Sequence, residues 1–420
     1  MPDGFTADDR RLLTDLLALP TAGPLETGGT GGRLADAQRR YAEAAAPIGL
    51  VPVHHAAPSA DQLGADLPLA VRERLGEEAF LAEQPSLVLR LGPELPRSAT
   101  VLFNVHLDTV AGPVPVSDDG VRVTGRGAID AKGPAVSLLA GIRAALAADP
   151  AIGRDVAVLV CAVAGEEGGA MGTIGTRPLV DAGYVGRLNV FCEPTGGTYL
   201  SRVTAAATAR IRVTGHDAVD DRPGHGHNAT VLLGHVAAHL ARTLPGRVCV
   251  GGLTTGTRHN RVYGSGELAL NLPYRTAGEG RRAVDALETA LGTALAEFRS
   301  AYAGTAAFDR TASDAATITR LDWLKRDLPT IDGAPAWAEE ILGDAGIPPW
   351  PADEPPFTCD AIWLAGIPDT ATVVYGPGRL DTNHAHAAGE YATLAELSDH
   401  AAGVARLLTT FARRQREGRG

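Results

Sequence analysis

Residues Val101–Asp108 read VLFNVHLD, and this stretch decides the fold. Val101, Leu102, Phe103 and Val105 are β-branched, aromatic or plainly apolar, and Gly92–Ser98 before them is turn-like. Such a run predicts a buried central strand in a sheet covered on both faces. His106 and Asp108 stand where that strand ends, and ligands of open α/β sheets bind beyond the carboxyl ends of the strands. Two apart on a strand, the pair points the same way. Asp108 is therefore able to take the His106 ring N–H and set its tautomer, as carboxylates do for metal-bound histidines. A structural histidine bonded to its neighbour explains the pair equally well.

Working outward, Thr6–Ala18 predicts an amphipathic helix capped by Thr6 and stopped by Pro20. Leu34–Ile48 predicts a second helix, ended by Gly49, with short strands at Val51–His54 and Ser86–Leu91. The pair His54–His55 is expected on a strand edge. Downstream, Val136, Leu139, Ile142 and Leu146 form the stripe of a helix whose first turn holds Pro134. Asp130 precedes that helix, as a simple cap or as a ligand. Val156–Ala164 and Leu188–Cys192 are two further apolar strands, ending in Glu166-Glu167 and in Glu193. Adjacent carboxylates at the tip of a buried strand repel each other and lose solvation, so they call for a cation or a proton. Helical crossovers bring such strand ends to one edge. Oxygen and nitrogen donors suit a zinc or manganese pair better than an iron–sulfur cluster. Thr372–Tyr375 predicts one more strand, followed by His384 and His386 in a loop, with a helix expected from about Glu390.

Composition bounds the class. The chain has 420 residues, 45% hydrophobic and 21% charged, enough for two domains or one with an insertion. Lys+Arg 38 against Asp+Glu 49 leaves −11, with no basic field for nucleic acid. The basic tail Arg413–Arg419 reads as the solvated end of a last helix. Cys161, Cys192, Cys249 and Cys359 are scattered and read as buried free thiols in a reducing compartment. No signal core or membrane-length run occurs, so a cytoplasmic chain without membrane partners is expected.

Five motifs in order, VHLDTV, GRGAIDAKG, GEEGG, EPT and GPG…AHAAGEY, resemble the di-zinc aminoacylase / acetylornithine deacetylase / succinyl-diaminopimelate desuccinylase family of metallopeptidases. They run from about Val101 to Tyr391. The resemblance implies an α/β fold: a mixed-sheet metallopeptidase catalytic domain with an inserted ferredoxin-like α+β lid. It implies two divalent ions, most simply zinc, with manganese or cobalt also suited. His106 and Glu193 would hold the first ion, Glu167 and His386 the second, and Asp130 would bridge both, with a cis peptide to Ala131. Asp108 would orient His106. Glu166 would act as general base on the water held between the ions, and His384 would be a neighbour only.

The expected domains are 1–204 and 321–420 for the catalytic part and 205–320 for the lid. Within the lid, Ala206–Val213, Arg247–Leu253, Val262–Leu272 and about Ala306–Ala312 predict strands. Asn228–Leu244 and Gly280–Ala301 predict helices, in the βαββαβ order of a split βαβ unit. His235 and His239, four apart, suggest a metal pair, but the apolar face opposite reads them as solvated. The resemblance implies a homodimer through this lid. It also implies a lid histidine for the oxyanion, and here Val219 stands at that position, with His216, His225 and His227 nearby. Losing such a donor costs ~10²–10³ in rate. Asn260 matches a substrate-binding position. Pro273 replaces the arginine that grips the substrate carboxylate, and Arg275 on the same strand face is the substitute, or a surface arginine. The expected activity is cleavage of the amide of an N-acyl amino acid or small dipeptide-like substrate. Acyl or aminoacyl transfer on the same site is the alternative that Val219 motivates.

Overall fold

The computed structural model describes residues 4–418, so Arg419 of the basic tail lies outside the described residues. The chain divides into two compact units, Met1–Val203 with Ile331–Gly420, and Thr204–Thr330.

The first unit is built on a six-stranded mixed sheet. Its strands, in spatial order, are Leu50–Ala56, Ser86–Leu91, Ala157–Val163, Thr100–His106, Leu188–Phe191 and Ala371–Val374. The last four run parallel and the first two join antiparallel. All seven residues of Thr100–His106 are buried, which is why that stretch carries no polar alternation. Its two faces serve different layers. Val101, Phe103 and Val105 enter the main core with Leu13, Tyr41, Val136, Leu139, Leu397 and Phe411. Leu102 packs in a smaller cluster with Val88, Leu159, Val163 and Leu179. Helix Lys132–Ala148 is buried almost all round through Ile142, more than the predicted stripe, because helix Leu394–Glu417 covers its outer side. There Gly141 lets the helices cross closely: a Cβ would sit 2.6 Å from Val404 Cβ.

That last helix begins at Leu394, not near Glu390. Thr393 caps it through a reciprocal bond with Glu396, and Tyr391–Thr393 is instead a strand paired with Arg122–Thr124. Its basic end is engaged by acids, Arg413 and Arg414 with Asp344 and Arg416 with Asp149. His54 and His55 lie on the edge strand Leu50–Ala56. Cys161, Cys192 and Cys359 are buried free thiols, but Cys249 is exposed. Its strand lies at a sheet edge, where both faces meet solvent.

The second unit holds a four-stranded antiparallel sheet in the order Cys249–Thr254, Ser265–Tyr274, Ala205–Thr214, Thr319–Lys325. Helices Ala229–Thr243 and Ala277–Tyr302 take the buried residues Leu268, Leu270 and Leu272 of its inner face. The strand expected near Ala306–Ala312 is absent. Helix Asp309–Ile318 occupies that stretch and the final strand is Thr319–Lys325. A boundary at residue 320 would cut this strand from its ladder with Ala205–Thr214. His239 is also not solvated: it is buried, with Nδ1 2.8 Å from Glu297 Oε2 on the facing helix. Periodicity missed this, since Glu297 is distant in sequence. Among the described residues no helix is long and apolar enough to cross a membrane.

Candidate metal centre

The parallel strands of the first unit deliver side chains to one edge. His106 is the last residue of its strand, and the loops after Ala157–Val163 and Leu188–Phe191 carry Glu166-Glu167 and Glu193. Asp130 is not a helix cap: the cap position is Ala131, and no side chain bonds the helix N-terminus. The Asp130–Ala131 peptide is cis. His386 sits at φ 62°, a backbone region that non-glycine residues seldom occupy. Turn bonds from Ala385 to Leu380 and from Ala387 to His384 hold that loop.

The geometry centres on Asp130. Its Oδ1 lies 2.8 Å from His106 Nε2, and its Oδ2 lies 3.0 Å from His386 Nε2. His386 Nε2 is also 2.9 Å from Glu167 Oε1, and His106 Nε2 is 3.7 Å from Glu193 Oε1. One carboxylate thus stands between two histidine–glutamate pairs. Ligating atoms of His106, Asp130 and Glu167 lie within 4.8 Å of one another. Glu167 Oε1 is buried without a hydrogen-bond partner of proper geometry. His384, two residues from His386, instead packs edge-on against Tyr391.

Electrostatics point the same way. Asp108, Asp130, Glu166, Glu167, Glu193 and Asp360 are crowded together, and burial raises the carboxyls of all but Asp130. Glu166 is pushed well up by burial, and Glu167 and Glu193 add to this against the pull of His106. Glu167 reaches about 7, through burial opposed by His386. Burial would also raise Asp130, but its bonds to His106 and His386 hold it low. Burial would lower His106, yet Glu193 and Asp130 lift it well above the ordinary range. His386 is drawn up to about 11 by Asp130 and Glu167. Six acids against two imidazoles leave an excess of negative charge that divalent cations would neutralise. The donors are carboxylate oxygens and imidazole nitrogens, and those residues fit such ions.

Asp108 works differently from the expected manner. The nearest acceptor to His106 Nδ1 is the Asp108 backbone carbonyl at 2.9 Å, while its carboxylate oxygen is 3.8 Å away. The carboxylate accepts instead from the Glu167 backbone N–H at 3.2 Å. It therefore holds the Glu166-Glu167 loop, and the backbone turn sets the imidazole.

Sequence reasoning missed Asp360. It is buried in a short turn, accepts from the Thr176 hydroxyl, and leaves Oδ1 without a partner. Thr176 in turn accepts from Asn104 Nδ2 at 3.1 Å, so a polar chain starts two residues before His106 on the same strand face. Asp360 follows a proline-rich loop with no apolar strand before it, so no pattern marked it. Lys132 is buried too, with Nζ 2.9 Å from the Leu19 carbonyl, and burial lowers it to about 7.

The lid candidates belong to the second unit. Val219 is 59% exposed, in a short bridge to Arg261. His227 is buried: its Nδ1 accepts from the His216 N–H and its Nε2 lies 3.1 Å from Asp314. It is committed to the lid's own structure, whereas His216 and His225 are exposed. Asn260 is exposed in the turn before Arg261. The Arg275 side chain is 79% exposed, with Glu279 at 3.8 Å.

A mixed α/β sheet that gathers carboxylates and histidines beyond its strand ends forms a site suited to divalent metal ions. Residues 102–410 match the profile of peptidase family M20/M25/M40, and the chain belongs to that family. A protein of Aeropyrum pernix, provisionally assigned as a LysW-lysine/LysW-ornithine hydrolase, is 32% identical over 206 residues, 49% of this chain and 55% of that one. A protein of the same assignment from Pyrobaculum aerophilum is 41% identical over 83 residues, 20% of this chain and 21% of that one. The chain thus aligns with about half, or less, of the length of these curated relatives. Among solved structures, the M20 family metallo-carboxypeptidase Sso-CP2 of Sulfolobus solfataricus superimposes with a TM-score of 0.69. That match covers 97% of this chain and all of the other at 12% identity, a likeness of fold.

Proposed function

We propose that this M20 hydrolase is a two-metal amidohydrolase that cleaves the amide of an N-acyl amino acid or small dipeptide-like substrate. The observation that carries the reading is the divided use of Asp130, one oxygen toward His106 and the other toward His386. His106 and Glu193 would hold one divalent cation, Glu167 and His386 the other, and Asp130 both. Zinc is the first choice, and manganese and cobalt suit the same donors. When bound, the ions would lower the pKa of water and polarise the amide carbonyl.

The rest falls to the protein. Glu166 takes a proton from the attacking water and delivers it to the leaving amine nitrogen, which departs neutral as the acid is released. Asp108 holds the Glu166-Glu167 loop through the Glu167 N–H. Asn260 and Arg275 are the residues proposed to contact the substrate, Arg275 through a carboxylate. The relatives' assignment adds LysW-linked lysine or ornithine to the substrates to be tried. The edge strand Cys249–Thr254, with all six residues exposed, supports a homodimer through the lid.

The test is metal content together with a screen of acetyl-, succinyl-, formyl- and aminoacyl-amino acids on metal-loaded protein. Two cations per chain and release of free acid are expected. Two bound cations without turnover of any of these amides would leave the hydrolase reading without support. Val219 favours a second reading, acyl transfer to an amine. Only free acid, at any concentration of competing amine, excludes it.

A further inference from the structure

We propose that Glu390 is a positioning residue that ties the loop carrying His386 to the loop carrying Asp130, and so sets the second cation position. The inference rests on the two-cation reading above. Glu390 is 1% exposed. Its Oε1 accepts the backbone N–H groups of both Ile129 and Asp130 at 3.2 Å. Its Oε2 accepts from Arg126 Nη1 at 2.7 Å. Arg126 then donates through Nη2 to the carbonyl of Ala387 at 3.2 Å, the residue after His386. The Glu390 carbonyl accepts from the Gly125 N–H at 3.0 Å. Every bond joins the segment around His386 to the segment that leads into Asp130.

Chemistry explains why a carboxylate stands here. The N–H groups of Ile129 and Asp130 lie in a buried stretch outside any helix or strand. Unpaired, they would each carry a desolvation cost. A carboxylate satisfies both with one oxygen and keeps the other for the guanidinium, a charge-assisted bond that is short and directional. No apolar residue could join the two loops in this way. The strand pairing of Tyr391–Thr393 with Arg122–Thr124 brings the segments close, and Glu390 fixes their final register. His106 and Glu193 depend on different supports, the strand Thr100–His106 and the loop directly after Leu188–Phe191. Asp130 serves both positions, but the His386 loop is tied to it through Glu390 and Arg126, so loss of Glu390 disturbs the His386–Glu167 side more than the His106–Glu193 side.

The experiment uses metal-stripped full-length protein titrated with cobalt(II), followed by calorimetry and visible absorption. Wild type, Glu390→Gln and Arg126→Met are compared. Glutamine keeps the size but turns an amide donor toward either Arg126 or the backbone N–H groups. Methionine leaves the two amide bonds and removes the guanidinium link. Wild type is expected to bind two cobalt ions. Glu390→Gln is expected to weaken the second ion ~10–100-fold and the first distinctly less, with a lower metal-free thermal midpoint from the mispaired buried donors. Arg126→Met should show the same split to a smaller degree, and it carries the test if Glu390→Gln does not fold. Equal weakening of both ions, or no weakening of either, overturns the role of Glu390 and leaves the two-cation reading intact. A wild-type chain that binds a single cobalt ion overturns both.

Discussion

His386 Nε2 stands 3.0 Å from Asp130 Oδ2, on the carboxylate oxygen that His106 leaves free. Neither residue lies in a regular element that touches the other. The contact exists because the strand after His386 pairs back onto the segment before Asp130. A shared carboxylate with a histidine on each oxygen is suited to holding two cations at once, and it makes Asp130 the most sensitive position of the site.

Substituting Asp130→Asn should therefore lower bound metal from two ions to one or none, with activity lost in parallel. Chelation of the wild type should abolish turnover, and zinc, manganese or cobalt should restore it. Metal analysis of the purified proteins checks this. Two tightly held ions in Asp130→Asn would remove the bridging role.

Glu166 should behave in the opposite way. Glu166→Gln is expected to keep both ions and to lose ~10²–10⁴-fold in kcat, the usual share of a positioned acid–base group. Unchanged kcat with metal retained rules out Glu166 as the proton carrier.

Gly141 tests the packing behind the site. An added Cβ would lie 2.6 Å from Val404 Cβ and 2.7 Å from the Ala401 carbonyl. Gly141→Ala should destabilise the first unit by about 1–3 kcal/mol, the range for an overpacked core, despite the better helix propensity of alanine. A denaturation midpoint equal to or above wild type would show that the helices separate freely.

His400 gives the fold a dependence on pH. It is fully buried, with Nδ1 2.6 Å from Ser137 Oγ and the ring against Tyr375. Burial lowers its pKa to about 3, against about 6.5 in an unfolded chain. Below pH ~6.5 the unfolded state binds a proton that the folded state refuses. This contribution to stability is intact above that pH and is lost progressively as pH drops toward 3. His400→Gln removes the titrating group, so its unfolding free energy should decline less between pH 7 and 5 than that of the wild type. Parallel pH profiles for the two proteins contradict this.

Much of the site was legible because short-range rules govern it. An apolar run without alternation marks a strand buried on both faces, and a charged residue at its end marks the sheet edge. That logic found the strand ends at His106, Glu166-Glu167 and Glu193 from the apolar runs alone. Arg275 shows its limit. Strand alternation puts it on the face of Pro273, yet no local rule says whether its exposed side chain meets a substrate.

What the sequence by itself determined is which residues end the parallel strands of the main sheet, since period and turn chemistry are local properties of the chain. What only the tertiary structure decided is how those ends divide their labour: the Asp108 carbonyl beside His106, the buried Asp360, His239 facing Glu297, and Glu390 behind Asp130. The physical reason is that a buried polar group takes its role from the partners that satisfy it. Those partners arrive from distant segments, at distances that no spacing in the chain records.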